Sequence, residues 1–191
     1  IHLVVLESGT EQMFDMLRKN EVDLIFTLDS HIYDSEFIIC AEHKEEVHFI
    51  AAADHPLLQR NELLLKEICS EDFVLTESNM SYRKLLNHEL ATQSLEILPI
   101  LEIGNPLQIC SLIENSKMIS FLPDFITEDA YRNGYIKHLP IADCDVSVWT
   151  QLLIHKNKWR SPALNAFIDF YREVILSLIH ISEPTRRSYI S

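Results

Sequence analysis

Three polar junctions hold the residues best suited to chemistry. In "ESGTEQMFDML" (7–17) the apolar run Leu3–Leu6 stops at Glu7-Ser8-Gly9-Thr10, and a helical pattern with Met13, Phe14 and Leu17 on one face begins at once. Thr10 and the amides opened by that turn stand at a helix start, where partial positive charge favours a carboxylate. The same hydroxyl also makes an ordinary N-cap, worth ~1 kcal/mol without any ligand, and the residues alone favour the cap. A second junction, "LTESNMSYRKLL" (75–86), offers Thr76, Ser78, Asn79, Met80 and Ser81 between a strand and a helix. A plain capping loop would use the same residue types. The third, Gly104-Asn105-Pro106, repeats the device with Pro at the first helical position.

Other candidates are weaker. The sequence contains no GxSxG, P-loop or GxGxxG. Glu77 and Asp124 form no acid–base pair that spacing can define. His43 and His48 in "HKEEVH" lack the HExxH spacing and read as part of a solvated, charged connector, so neither a metal nor a cofactor is expected. His55, in Asp54-His55-Pro56, reads as a turn residue. Trp149 and Trp159 read as core and helix-flank packing.

The elements that must position these residues alternate along the chain. Strands are predicted at "HLVVL" (2–6), "VDLIFTL" (22–28), "EFIIC" (36–40), "VHFIAA" (47–52), "FVLT" (73–76), "ILPILEI" (97–103), "MISFLP" (118–123), weakly at "YIKHLPI" (135–141), and at "VSVWTQLLIH" (146–155). Helices are predicted over 11–20, 63–68, 81–90, 106–115 and 125–132, the last closed by Asn133-Gly134, with a final one starting at Ser161-Pro162. Strands alternating with helices imply a largely parallel α/β sheet, in which ligands sit at the carboxyl ends of strands. Polar junctions on two lobes that face one cleft would make a binding protein.

Composition narrows the class. With 29 acidic against 16 basic residues the formal charge is −13, and no basic stripe is available for phosphate contacts. This piece is not expected to touch DNA. The cysteines at 40, 69, 110 and 144 are far apart and each lies in or beside an apolar segment, the pattern of reduced thiols in a cytoplasmic protein. No apolar run approaches the ~20 residues of a membrane helix.

Both ends read as cut. The chain opens inside an apolar run, and "LSLIHISEPTRRSYIS" (176–191) lacks periodicity and resembles a translated sequencing adapter, so it is treated as a non-native tail.

Four segments, in order, resemble the effector-binding domain of LysR-type transcriptional regulators. "ESGTEQMFDMLRKNEVDLIF" is similar to the family's glycine-led turn, helix and following strand. "EEVHFIAAADHPL", "LIENSKMISFLP" and "NKWRSPALNAFIDFYRE" are similar to its "HPL", "lVaaGlGiallP" and closing "SPA" segments. Ser116 and Met118 stand where the family carries glycines. The resemblance covers residues 1–175. It implies a two-lobed, periplasmic-binding-protein-like (type 2) fold, each lobe a mostly parallel sheet flanked by helices. The first strand would be missing upstream of Ile1, which makes an aggregation-prone fragment. Lobe I would comprise 1–71 and 148–175, and lobe II 72–147.

The implied function is sensing of a small, anionic metabolite between the lobes, through Thr10, Thr76, Ser78, Asn79, Met80, Ser81 and Asn105. A helix-turn-helix module outside this sequence would bind DNA, and the regulator would be a dimer or tetramer with no membrane contact. A solute-binding protein of a transporter and an enzyme on the same fold stand as alternatives.

Overall fold

The structure, a computed structural model, describes residues 3–182, and the side chains of residues 3–174. In chain order its elements are α1 (Thr10–Arg18), β1 (Ile25–Asp29), β2 (Phe37–Ala52), a 3-10 turn (Pro56–Gln59), α2 (Leu65–Ile68), β3 (Val74–Leu75), α3 (Ser81–Thr92), β4 (Leu101–Glu102), α4 (Pro106–Ile113), β5 (Ser120–Pro123), α5 (Asp124–Arg132), β6 (Ile136–His138), β7 (Ser147–His155) and α6 (Pro162–Ser182). They form two compact units, Ile1–Thr27 with Ile32–His43 and Thr150–Ser191, and Leu28–His31 with Lys44–Trp149. Residues 44–71, assigned from sequence to the first lobe, group here with the second unit, because the second half of β2 pairs there with β5 and β6. The tail expected from 176 lies within α6 as far as Ser182, and beyond that outside the described residues.

In the first unit β7 lies between β1 and β2, and Thr150 to Ile154 are all buried, as a central strand requires. Alternation splits its side chains between two clusters. Leu153 packs with Leu17, Ile25 and Phe37, whereas Leu152 and Ile154 pack with Cys40, Leu164 and Ile168. Ser161 caps α6 as expected, its Oγ accepting from Leu164 N at 3.1 Å.

The second unit is a mixed sheet over one core. β2 runs antiparallel to β5, with Phe49 opposite Phe121, and to β6, with Ile50 opposite His138. β3 and β4 are parallel, and the Phe73–Ile119 bridge adds a further parallel contact. The rings of Phe73 and Phe121 both pack on Phe49. Gly134, at φ +75°, closes α5 in a Schellman motif: Tyr135 N donates to Ala130 O and Gly134 N to Tyr131 O. The turn before β5 needs no left-handed residue at Ser116 or Met118; Ser116 Oγ instead accepts from Met118 N at 3.2 Å.

Three sequence expectations are corrected. "HLVVL" is not a strand: residues 3–9 have no regular structure, and Leu3, Val4, Val5 and Leu6 are 61%, 64%, 77% and 57% exposed. An apolar run becomes a strand only where a neighbour takes its hydrogen bonds, and the described sheet pairs none with it. "EFIIC" and "VHFIAA" are one 16-residue strand, since the intervening "AEHKEE" alternates half-buried and exposed residues with the strand period. Trp159 is exposed rather than packed.

Candidate functional site

The expected residues of the second unit come together because β3 and β4 are parallel neighbours. Val74 opposes Leu101 and Leu75 opposes Glu102, so both strands end side by side and α3 and α4 start from adjacent turns. The turns touch: a Cβ on Gly104 would stand 3.0 Å from Glu77 Oε1. Thr76 leads into the first turn, is 1% exposed, and its Oγ1 has no hydrogen-bond partner. The hydroxyl of Tyr82, one turn into α3, is equally buried and unpartnered. Burial raises the Tyr82 phenol, and the nearby Thr76 hydroxyl opposes this.

The start of α3 is unusual in its chemistry. Met80 is the N-cap residue and no side chain caps the helix. Ser81 Oγ donates to Leu28 O at 2.5 Å instead, while Ser78 and Asn79 are exposed. The first amides of α3 therefore lack the side-chain acceptor that usually satisfies them. Asn105 differs, because its Oδ1 accepts from Leu107 N at 3.0 Å and caps α4. The plain capping alternative holds for Asn105 and fails for the 78–81 turn.

Thr10 belongs to the first unit. Gly9, not Thr10, is the N-cap of α1, so Thr10 is the first helical residue and half-buried. Gly9 has φ −67° and ψ 152°, extended values open to any residue, and a Cβ there would meet nothing within 4 Å. Its glycine serves neither a left-handed turn nor a close approach.

A second polar cluster went unread in the sequence. His48 on β2 bonds Asp124 Oδ1 through Nδ1 at 2.7 Å, and His138 Nε2 on β6 lies 3.6 Å from the same oxygen. The two imidazoles stack at 4.2 Å with 13° between their planes. The Asp124 hydrogen bond raises the His48 pKa, while burial lowers that of His138. Glu45 is pushed up to about 7, by burial first and then by Asp124 and Glu128. His48 is thus no part of a solvated connector, and His43 is outside the cluster. Positions 48, 124 and 138 form no linear motif; the signal arises only from strand pairing.

His55 is structural: its buried ring donates from Nε2 to Lys117 O and accepts at Nδ1 from Leu57 N. All four cysteines are free. Two open depressions of about 430 and 520 Å³ lie in the first unit, and neither is lined by an expected effector residue.

Comparison with known proteins places this arrangement. The LysR substrate binding domain family matches residues 1–175, so the chain belongs to that family: it is a LysR-type effector-binding domain with a periplasmic-binding-protein-like α/β fold. The HTH-type transcriptional regulator YwqM of Bacillus subtilis is 32% identical over 86% of this chain and 56% of its own length. MetR of Salmonella typhimurium is 24% identical over 82% of this chain and 49% of its own. The chain thus spans about half the length of these relatives. Two similar solved structures are the QuiR effector-binding domain in complex with shikimate and the CcmR regulatory domain of Synechocystis PCC6803 in complex with 2-PG. The QuiR domain matches with TM-score 0.67 and 19% identity, covering 87% of this chain and 78% of that one. The CcmR domain matches with TM-score 0.70 and 19% identity, covering 87% and 80%.

Proposed function

We propose that this domain senses a small metabolite bearing a carboxylate or comparable anionic group, held at the turns that open α3 and α4. The observation that carries this reading is the buried Thr76 hydroxyl, without a partner, beside a helix start that no side chain caps. A bound acid supplies both missing acceptors, and helix N-terminal amides favour negative charge. The relatives named above support the class, two of them holding shikimate and 2-PG. The chain's −13 charge and the nearby Glu77 carboxylate act the other way. Salt screens the long-range part beyond ~8 Å, whereas amides act in contact. Ser78, Asn79, Met80 and Ser81 shape the turn, Asn105 holds α4 beside it, and Thr10 enters through the family resemblance.

The role is recognition rather than catalysis. Effector binding would bias a conformational equilibrium by its difference in affinity for two states. In the intact regulator a helix-turn-helix module would read that bias on DNA, within a dimer or tetramer in the cytoplasm. No helix among the described residues is long and apolar enough to cross a membrane.

Thr76→Val tests the site. The hydroxyl has no protein partner to lose, so the unliganded variant should keep its stability within about 0.5 kcal/mol or gain slightly. A thermal-shift screen of small carboxylic acids, shikimate among them, should raise the melting temperature of the parent. The Thr76→Val variant should show a reduced shift. The reading fails if no acid shifts the parent, or if Thr76→Val responds as the parent does.

A further inference from the structure

We propose that His48, Asp124 and His138 form a binding site for a first-row divalent cation of the zinc type. The site stands apart from the effector reading, because it uses other residues and metal uptake is measured directly. Its ligands come from three elements whose register is set by the sheet. His48 opposes Leu122 in the β2–β5 pair, and Pro123, the next residue of β5, opposes Val47 and delivers Asp124 at the first position of α5. His138 opposes Ile50, two residues along β2 from His48, which brings the second imidazole onto the same face. The ligand atoms, one from each residue, all lie within 4.8 Å of one another.

The chemistry of the set is selective. Two imidazole nitrogens with one carboxylate oxygen suit zinc, cobalt or nickel, whereas magnesium and calcium prefer oxygen ligands. Three protein ligands also leave a position open to water or a further ligand. The Asp124 carboxylate is not taken up in capping α5, whose N-cap is Pro123 with no side-chain cap. Tyr131 also packs its ring against His138, with centroids 4.5 Å apart. Without a metal, the same three residues make a hydrogen-bonded clasp between β2, β6 and α5, and the experiment must separate the two.

Titration of the full chain, without a histidine tag, with Zn²⁺ alone by calorimetry should give one saturable site that Mg²⁺ does not compete for. His48→Gln and Asp124→Asn should each weaken it by more than about tenfold, the lower end of what loss of a supporting group costs a metal site. His43→Gln, on the same strand but outside the cluster, should leave it unchanged. Should a substitution unfold the chain, Co²⁺ absorption on the unaltered chain decides: d–d bands of a nitrogen/oxygen site support the assignment, and an aqueous-ion spectrum refutes it. Absence of saturable zinc uptake, or uptake equally affected by His43→Gln, overturns the proposal and leaves the clasp.

Discussion

Glu45 sits half-buried on β2, where desolvation, and then Asp124 and Glu128, push its carboxyl up to about 7 from 4.5. A carboxyl raised on folding binds its proton more tightly in the native state than in the unfolded chain. Its stabilising contribution is fully present below 4.5 and is lost as pH rises through about 7. Glu45→Gln mimics the protonated form, so in chelator-treated protein it should match the parent near pH 4.5 and exceed it at about pH 8. Solvent screening of a half-exposed group cuts the full shift to a gain on the order of 1–2 kcal/mol. Denaturant melts of both proteins across that range read the difference directly, and a difference independent of pH refutes the account. His48 shifts in the same direction, through Asp124, and His138 in the opposite one, so only the difference between variant and parent isolates Glu45.

The helix starts separate structural from ligand-binding polarity. α4 has a built cap in Asn105, and α6 has one in Ser161, whereas α3 opens at Met80 with none. Asn105→Ala should therefore lower stability by about 1 kcal/mol, while Asn105→Asp keeps the cap and the stability. Thermal melts of the two variants check this; equal losses would mean that the side chain acts other than as a cap. Sequence located most helix starts to within a residue, since Pro106, Pro162 and the apolar periodicity mark them locally, but it opened α2 at 63 where the helix begins at Leu65. It did not show which hydroxyl caps and which is left over, because Ser81 is drawn to the carbonyl of Leu28, 53 residues away in the chain. Gly9 illustrates the same limit: the residue marks the junction, yet its backbone is one that any residue adopts.

For the whole molecule, the consequential feature is the apolar run Leu3–Leu6, exposed throughout although it has the composition of a buried strand. A contiguous exposed run of this kind promotes self-association, through apolar contact and through unpaired backbone. Val5→Lys should reduce concentration-dependent association in sedimentation velocity and leave the melting temperature of the monomer unchanged, as surface substitutions usually do. Association that persists at the same strength would place the sticky surface elsewhere. Each unit otherwise has a buried centre, with Phe49, Phe73 and Phe121 in one and Leu152, Leu153 and Ile154 threading the other.

What the order of residues determined by itself was local or cumulative. Apolar periodicity marked most strands and helices, the acidic balance removed a nucleic-acid surface from this piece, and four weak segments in series identified the LysR family. Tertiary structure decided everything that depends on which strand lies beside which. Strand pairing left Leu3–Leu6 without a neighbour, joined two predicted strands into β2, set Thr76 beside an uncapped helix, and drew His48, Asp124 and His138 to one oxygen. The physical reason is range: capping and periodicity act over one or two turns, while hydrogen-bond satisfaction and charge clustering depend on contacts between residues far apart in the chain.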